Sequence, residues 1–177
     1  MYYMHYNDQL VLTGQINDVG DYTRTNVDIS YRAGIELEAG YRMSKKLSLT
    51  GNTTLSNNKI TEFNEFVDNY DVGGQDTISH TNTDLAFSPN IVASVGLQYE
   101  PLEDLTINFS GKHVGDQFLD NTSTETRKLN AYTTFNLQME YTLEGLLFEE
   151  MTFGLLVNNI FNELYDCLLY TSDAADE

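Results

Sequence analysis

Apolar and polar residues alternate almost without error along residues 30–58. From residue 31 to residue 43, every second side chain is apolar, and the positions between them are charged residues or glycine. A polar turn at Ser44-Lys45 follows, and the alternation resumes over residues 47–55. Because successive side chains of a strand point to opposite faces, this stretch predicts a long antiparallel hairpin with one apolar face.

The same period-two pattern predicts further strands along the chain. With the hairpin they make about seven, near residues 2–13, 31–43, 47–58, 88–100, 105–115, 130–143 and 151–161. In the first strand Asp8 interrupts an otherwise apolar parity, whose members are Tyr2, Met4, Tyr6, Leu10 and Leu12.

The polar connections between these strands alternate between long and short. Long loops are predicted at residues 14–30, 59–87 and 116–129, and short turns at residues 44–45, 101–104 and 144–150. A loop as long as 59–87 is uncommon in a compact soluble domain. Transmembrane β-barrels show this alternation, because their external loops are long and their periplasmic turns are short.

Strand length also favours a membrane barrel. Each arm of the hairpin has about a dozen residues, whereas soluble strands have about five or six and tilted transmembrane strands about nine to eleven. Tyrosines lie near the ends of predicted strands, as in aromatic girdles: Tyr31, Tyr41, Tyr99 and Tyr141. The sequence therefore predicts an all-β fold, an antiparallel meander of about seven long strands that forms an open segment of a transmembrane β-barrel.

The charged parity of the second strand must face the barrel interior. It carries Arg32, Glu36, Glu38 and Arg42, and an arginine facing lipid costs about 2–4 kcal/mol at the midplane.

Bacterial barrels have an even number of strands, at least about eight, and lipid does not tolerate an unpaired sheet edge. No export signal precedes the first predicted strand, so we expect this chain to be a portion of a longer protein.

Composition excludes some functions. The 177 residues contain 9 Lys and Arg against 27 Asp and Glu, a formal net charge of -18, so we expect no nucleic-acid partner. No run approaches the roughly 18 apolar residues of a membrane helix. Only one cysteine is present, so no intrachain disulfide can form.

Residues that could carry chemistry are scattered. His5, His80 and His113 have no metal-ligand spacing, and no nucleophile motif is present, so we expect neither an enzyme nor a bound cofactor. His80 lies in a predicted long loop, where it could contact a ligand, although a solvated loop residue is the favoured interpretation. Tyr22 and Tyr70, also in predicted loops, could stack on a sugar or a siderophore.

Carboxylates cluster in the 59–87 loop and could bind Ca²⁺, which takes several oxygen ligands. They are Glu62, Glu65, Asp68, Asp71 and Asp76. Their spacing does not match an EF-hand, and Asp71-Val72-Gly73-Gly74 predicts a turn. A solvated loop is therefore favoured over a calcium site.

Several stretches resemble a TonB-dependent receptor of the Bacteroidetes type, near its C-terminal end. The segment VNNIFNELY at residues 157–165 is similar to the family's N-L-F-[ND]-x-x-Y pattern. The resemblance covers about residues 2–166, and its other segments are YNDQLVLTG (6–14), SYRAGIELEAGY (30–41), SNNKI (56–60), DLAFSP (84–89) and QFLDNT (117–122).

This resemblance implies a parent barrel of about 22 strands with a plugged lumen, located in the outer membrane. Such receptors take up scarce solutes, often iron–siderophore complexes, using energy from the TonB complex. The implied partners are outer-membrane lipid, a small-molecule or metal-chelate ligand, and TonB through a plug region upstream of this chain. Beyond the resemblance, a passive porin or structural barrel and a soluble acidic β-sandwich that binds glycans or calcium remain as alternatives.

The last residues depart from the family pattern. Residues 167–177 read CLLYTSDAADE and resemble the conceptual translation of a sequencing adapter. We therefore expect residues 1–166 to form the C-terminal portion of the receptor barrel, without its plug domain and its final strand, and residues 167–177, with Cys167, to be a non-native tail.

Overall fold

A computed structural model describes residues 1–16, 22–145 and 149–166. In chain order, the strands are β1 (Tyr2–Ile16), β2 (Tyr22–Arg42), β3 (Leu47–Asp68), β4 (Gln75–Asp84), β5 (Ile91–Leu102), β6 (Leu105–Val114), β7 (Gln117–Phe118), β8 (Lys128–Leu129), β9 (Tyr132–Glu144) and β10 (Glu150–Val157). A short 3-10 helix, Glu125–Arg127, lies between β7 and β8. Within the described ranges, no helix has the length and apolar character that crossing a membrane requires.

The strands form a meander. One eight-stranded sheet has the order β1-β2-β3-β5-β6-β9-β10, with β4 paired to the far part of β3, and β7 and β8 form a separate two-stranded sheet. All neighbouring pairs are antiparallel. The predicted all-β antiparallel meander is confirmed.

The strand register places the apolar side chains on one face. Directly opposed residues of antiparallel neighbours share a face, and one such row is Tyr41, Leu49, Leu97, Phe109, Leu137 and Val157. The adjacent row lies on the other face and consists of Gly40, Thr50, Gly96, Ser110 and Asn136. From β2 to β10 the sheet therefore has an apolar face and a polar face, as the alternation predicted.

Strand β1 departs from its predicted parity. Tyr3 lies opposite Ala33 and stacks on Tyr31, with ring centroids 6.0 Å apart, so Tyr3 is on the apolar face. Tyr2, Met4 and Tyr6 lie opposite residues of the polar face. The prediction that these three residues share one apolar face with Leu10 and Leu12 is wrong. Asp8, which lies between the two groups, has a left-handed backbone with a φ of 54°, and the side-chain alternation changes there.

Two predicted long loops are largely strand. Strand β2 begins at Tyr22 and β3 continues to Asp68, where β4 returns alongside it, so the loops predicted at 14–30 and 59–87 are wrong. At about 3.3 Å per residue, the 22 residues of β3 extend roughly 70 Å, far beyond an apolar band about 25 Å tall. The extra length has polar residues on both faces, so it carries no period-two pattern.

The connections still separate by length. The 116–129 connection holds only β7, β8 and the 3-10 helix, and short turns follow β2 at residues 43–46 and β5 at residues 103–104. The short connection predicted at 144–150 is only partly described, and residues 167–177 lie outside the described residues. We call the end of the sheet with the long connections the loop end.

Candidate functional site

At the loop end the sheet divides into two hairpins. The register between β2 and β3 ends at Ser30 and Ile60; farther out, β2 pairs with β1 and β3 pairs with β4. Between the hairpins lies a cleft of 290 Å³. Its walls are Thr13 and Gln15 of β1, Thr25, Asn26, Val27 and Asp28 of β2, and Glu62, Phe63, Asn64 and Phe66 of β3.

A small core joins the two hairpins at the base of the cleft. It consists of the buried side chains Val11, Val27, Ile60, Phe63 and Leu85. Val27 and Ser30 are both buried although they are three residues apart in one strand, so the side-chain alternation shifts between them. Since Ile60 lies opposite Ser30, next to Arg32 along β2, the core is on the polar face of the sheet.

The end of β1 bends over β3 and closes one side of the cleft. The carbonyl oxygen of Gly14 accepts a hydrogen bond from Nε2 of Gln75, at 2.9 Å. Gly14 has a φ of +83°, and a Cβ atom at this position would lie 2.4 Å from the carbonyl oxygen of Phe66. Glycine is therefore required here both by its backbone conformation and by the close approach of β3.

Gly14→Ala should destabilise the loop end more than Gly73→Ala. Both glycines have a positive φ, but nothing lies within 4 Å of a Cβ placed on Gly73. Both variants therefore carry the left-handed strain of about 1–2 kcal/mol, and only Gly14→Ala adds overpacking of about 1–3 kcal/mol. Hydrogen exchange of the β3–β4 amides measures the difference, and equal effects would refute the close contact.

A loop between β6 and β9 lies against both hairpins. We call residues 115–129 the strap. The side chain of Asn121 is only 4% exposed. Its Nδ2 donates a hydrogen bond to the carbonyl oxygen of Leu12, at 3.0 Å, and its Oδ1 accepts one from the amide of Ala86, at 2.9 Å. Near the end of β4, the Asp84 amide donates to Oγ of Ser123 at 2.7 Å. The strap is thus bonded to β1 and to the end of the β3–β4 hairpin.

Charged groups add a further attachment. Arg127 Nη1 lies 2.7 Å from Oδ2 of Asp120 and 3.2 Å from Oε1 of Glu65. The hydrogen bond to Asp120 raises the pKa of Arg127. Burial raises the pKa of Asp120, but hydrogen bonds from Thr122 and Arg127 outweigh it and hold that pKa below its ordinary value.

The attachment through Asp120 should weaken in acid. Since the folded pKa of Asp120 is depressed, its stabilisation is present above the unfolded value, 3.8, and is lost as pH falls through the lower folded value. Because Arg127 is half exposed, we expect a modest effect. Hydrogen exchange at the Leu119 amide, corrected for intrinsic rates, should stay constant from about pH 7 to 5 and accelerate below about pH 4. Asp120→Asn should abolish that dependence; loss of protection already near pH 6 would contradict it.

The structure changes the interpretation of the histidines. His80 lies in β4, not in a loop: its Nε2 is 2.8 Å from Oε2 of Glu65, and its ring stacks on Phe63 with centroids 5.1 Å apart. His113 Nδ1 is 2.9 Å from Oγ1 of Thr133. His5 lies in β1, and its Nε2 is 3.1 Å from Oδ1 of Asn7, so the three histidines are in three different strands. These residues are not brought together.

The carboxylates of the predicted calcium site are also distributed. The carboxylate of Glu65 contacts Arg127 and His80. The carboxylate of Asp68 accepts a hydrogen bond from Gln75, and that of Asp76 accepts one from Asn69 at 2.9 Å. In the part of the chain that the structure describes, no group of three or more His, Cys, Asp or Glu residues could hold a metal ion. The calcium hypothesis thus finds no support in the described geometry.

The turn predicted at residues 71–74 is confirmed. The Oδ1 atom of Asn69 accepts hydrogen bonds from the amides of Asp71 and Val72, at 3.1 and 3.2 Å. Tyr70 lies at this tip and is 92% exposed. The side chain of Tyr22 is not among those that the structure describes.

The cleft was missed by sequence reasoning. Most of its walls lie in stretches predicted to be loops, and their pairing is long-range. Polar and aromatic side chains share the lining, which includes two carboxylates, Asp28 and Glu62, and, among the described residues, no lysine or arginine. Its chemistry is that of a hydrogen-bonding pocket with two phenylalanine rings.

A long antiparallel meander with one apolar face, with hairpins that enclose a cleft at one end, is typical of a segment of a transmembrane β-barrel. Comparison with known families agrees with this class. Residues 1–160 match the TonB dependent receptor-like β-barrel family, and the chain belongs to that family. The soluble β-sandwich alternative is wrong, because this family forms barrels and the described residues show no second sheet packed on the apolar face.

Solved structures have the same fold. The siderophore receptor PiuA from Acinetobacter baumannii matches with a TM-score of 0.67 and 18% identity, over 92% of this chain and 21% of that chain. Two mutant forms of the ferric enterobactin receptor PfeA from Pseudomonas aeruginosa match with a TM-score of 0.53 and 17% identity, over 90% of this chain and 22% of theirs. The chain thus spans about a fifth of the length of these structures.

Proposed function

We propose that this chain is part of an outer-membrane TonB-dependent receptor that actively takes up a scarce nutrient, an iron–siderophore complex or a similar chelate. The observation that carries this proposal is the family match over residues 1–160. The apolar face that runs from β2 to β10 supports contact with outer-membrane lipid. The nature of the ligand is supported by the similar structures, which are receptors for siderophores and ferric enterobactin.

The organisation of the parent protein is part of the same proposal. Residues 1–166 belong to the C-terminal portion of a barrel of about 22 strands, of the Bacteroidetes type. Its plug domain and TonB contact precede this portion. Residues 167–177, which lie outside the described residues, are a non-native tail.

The cleft supplies one ligand contact of this receptor. Its volume, 290 Å³, is at the lower limit of ligand pockets, which are typically about 300–1,000 Å³, so it accommodates one group of a ligand. The carboxylates of Asp28 and Glu62 accept hydrogen bonds, and Phe63 and Phe66 provide apolar surface. These residues favour a ligand group with hydroxyl or amine donors over an anionic group.

Uptake of a labelled ferric siderophore by cells that carry the full-length receptor tests the proposal. We expect accumulation above the receptor-free level, and we expect it to disappear in cells without TonB. A panel of hydroxamate and catecholate complexes would identify the accepted class. Solute entry that is equal with and without TonB, together with swelling of liposomes that contain the receptor, would instead establish a passive porin.

A further inference from the structure

The two walls of the cleft each have a neighbour that is bonded to the strap. On one side, Thr13 lines the cleft and Leu12 precedes it in β1. On the other side, Asn64 and Phe66 line the cleft, and Glu65 lies between them in β3. The strap is bonded to Leu12 and to Glu65, so it joins both walls one residue away from the lining.

The bond to the first wall is made by a buried amide. Asn121 Nδ2 donates to the carbonyl oxygen of Leu12, a residue 109 positions earlier in the chain. The same side chain accepts a hydrogen bond from the Ala86 amide, so both ends of the amide are used. Removing it would leave the Leu12 carbonyl and the Ala86 amide, which are partly buried, without this hydrogen bond, and an unsatisfied group of this kind costs free energy.

The bond to the second wall is made by Arg127, whose Nη1 contacts Oε1 of Glu65. Within the strap, the two attachment points are themselves connected. The Leu119 amide donates to the Arg127 carbonyl at 2.8 Å, and the Arg127 guanidinium contacts Asp120, the neighbour of Asn121. A short, internally bonded segment therefore spans from one wall to the other.

We propose that the strap is a clamp that sets the distance between the two walls of the cleft, and that Asn121 and Arg127 are its positioning residues. Neither side chain lines the cleft, so both act on it through Leu12 and Glu65. The clamp follows from this chain's own contacts and is independent of which ligand the receptor binds. Its test therefore needs no ligand and can fail separately from the proposed uptake function.

Distance measurements between spin labels in the full-length receptor test the clamp. Asn26→Cys and Asn64→Cys place one label on each wall, at exposed positions, on a background without other cysteines. Asn121→Ala and Arg127→Gln should each broaden the distance distribution and shift it to longer distances. Arg127→Lys, which retains the charge, should restore part of the parental distribution.

Lys128→Gln is the matched control. Lys128 is adjacent to Arg127, but its ion pairs are with Asp116 and Glu125, both within the strap. We expect this variant to keep the parental distance distribution. If Asn121→Ala does not fold, the half-exposed Arg127 decides the question. A folded Arg127→Gln receptor with lower thermal stability and an unchanged distance distribution would overturn the proposal, because the strap would then stabilise the fold without positioning the walls.

Discussion

Val95→Arg in the full-length receptor lowers the free energy of unfolding by about 2–4 kcal/mol, the cost of a lipid-facing arginine near the bilayer midplane. Val95 lies in the middle of β5, opposite Gly51 of β3 and Gly111 of β6, on the apolar face. Its side chain is 42% exposed in the sheet, so hydrocarbon is the environment that the guanidinium would enter. Denaturant unfolding of the receptor in lipid vesicles measures the loss.

Asn52→Arg is the matched control. Asn52 follows Gly51 and lies on the polar face, opposite Glu38 and Ser94. The new arginine would face the interior beside a carboxylate, and we expect a change within about 0.5 kcal/mol. If the two arginine variants had equal unfolding free energies, the assignment of the two faces would be wrong.

Phe63→Ala should separate the two hairpins at the loop end. Phe63 is 5% exposed, belongs to the small core, and stacks on His80. Truncation of a buried phenylalanine costs about 3–5 kcal/mol. Because the core joins only the outer parts of the strands, we expect this loss to be local. Hydrogen exchange should accelerate strongly over β4 and the outer half of β3, while the β5–β6 amides keep their protection.

Two companion variants sharpen this prediction. Phe63→Leu retains most of the apolar volume and should cost less than half as much. Tyr70→Ala removes an aromatic ring that is 92% exposed at the tip of the same hairpin and should change nothing measurable. Uniform acceleration throughout the sheet after Phe63→Ala would show that the core supports the whole barrel and would contradict a local role.

The membrane-spanning part of the fold could be predicted from the sequence because lipid imposes a simple rule. One face of each strand must be apolar, so Ile35, Leu37 and the residues that follow them produce a clear alternation in β2. Register then follows from the short turns, which leave little freedom for slippage. The seven predicted strands correspond to β1, β2, β3, β5, β6, β9 and β10.

Beyond the membrane this rule no longer applies. The outer part of β3 and β4 carry only a few buried apolar residues among many polar ones, and their pairing is set by the Asn69 turn and by contacts such as Lys59–Asp84, 2.8 Å apart. Asp8 and Asn82 have a left-handed backbone and change the alternation of side chains between the two faces, which the sequence pattern does not predict. Strands there could not be distinguished from loops by periodicity.

The cleft and the strap could not be predicted for a related reason. The bond from Asn121 to Leu12 joins residues 109 positions apart, and no local pattern encodes such a contact. Gly14 fell at the start of the predicted loop 14–30, so the close backbone approach that a glycine within a strand often marks was not indicated there. The QFLDNT segment stood out only through its family resemblance, and its buried asparagine became visible only in the folded chain.

The most direct test is a label scan along β5 in the full-length receptor in lipid vesicles. Single cysteines at each position from 91 to 100 carry a nitroxide, and collision with oxygen dissolved in lipid is compared with collision with a water-soluble nickel complex. We predict an alternation of period two, with residues 91, 93, 95, 97 and 99 exposed to lipid and the residues between them facing the interior. A flat profile, or lipid exposure at the even positions, would contradict a sheet whose apolar face meets the membrane.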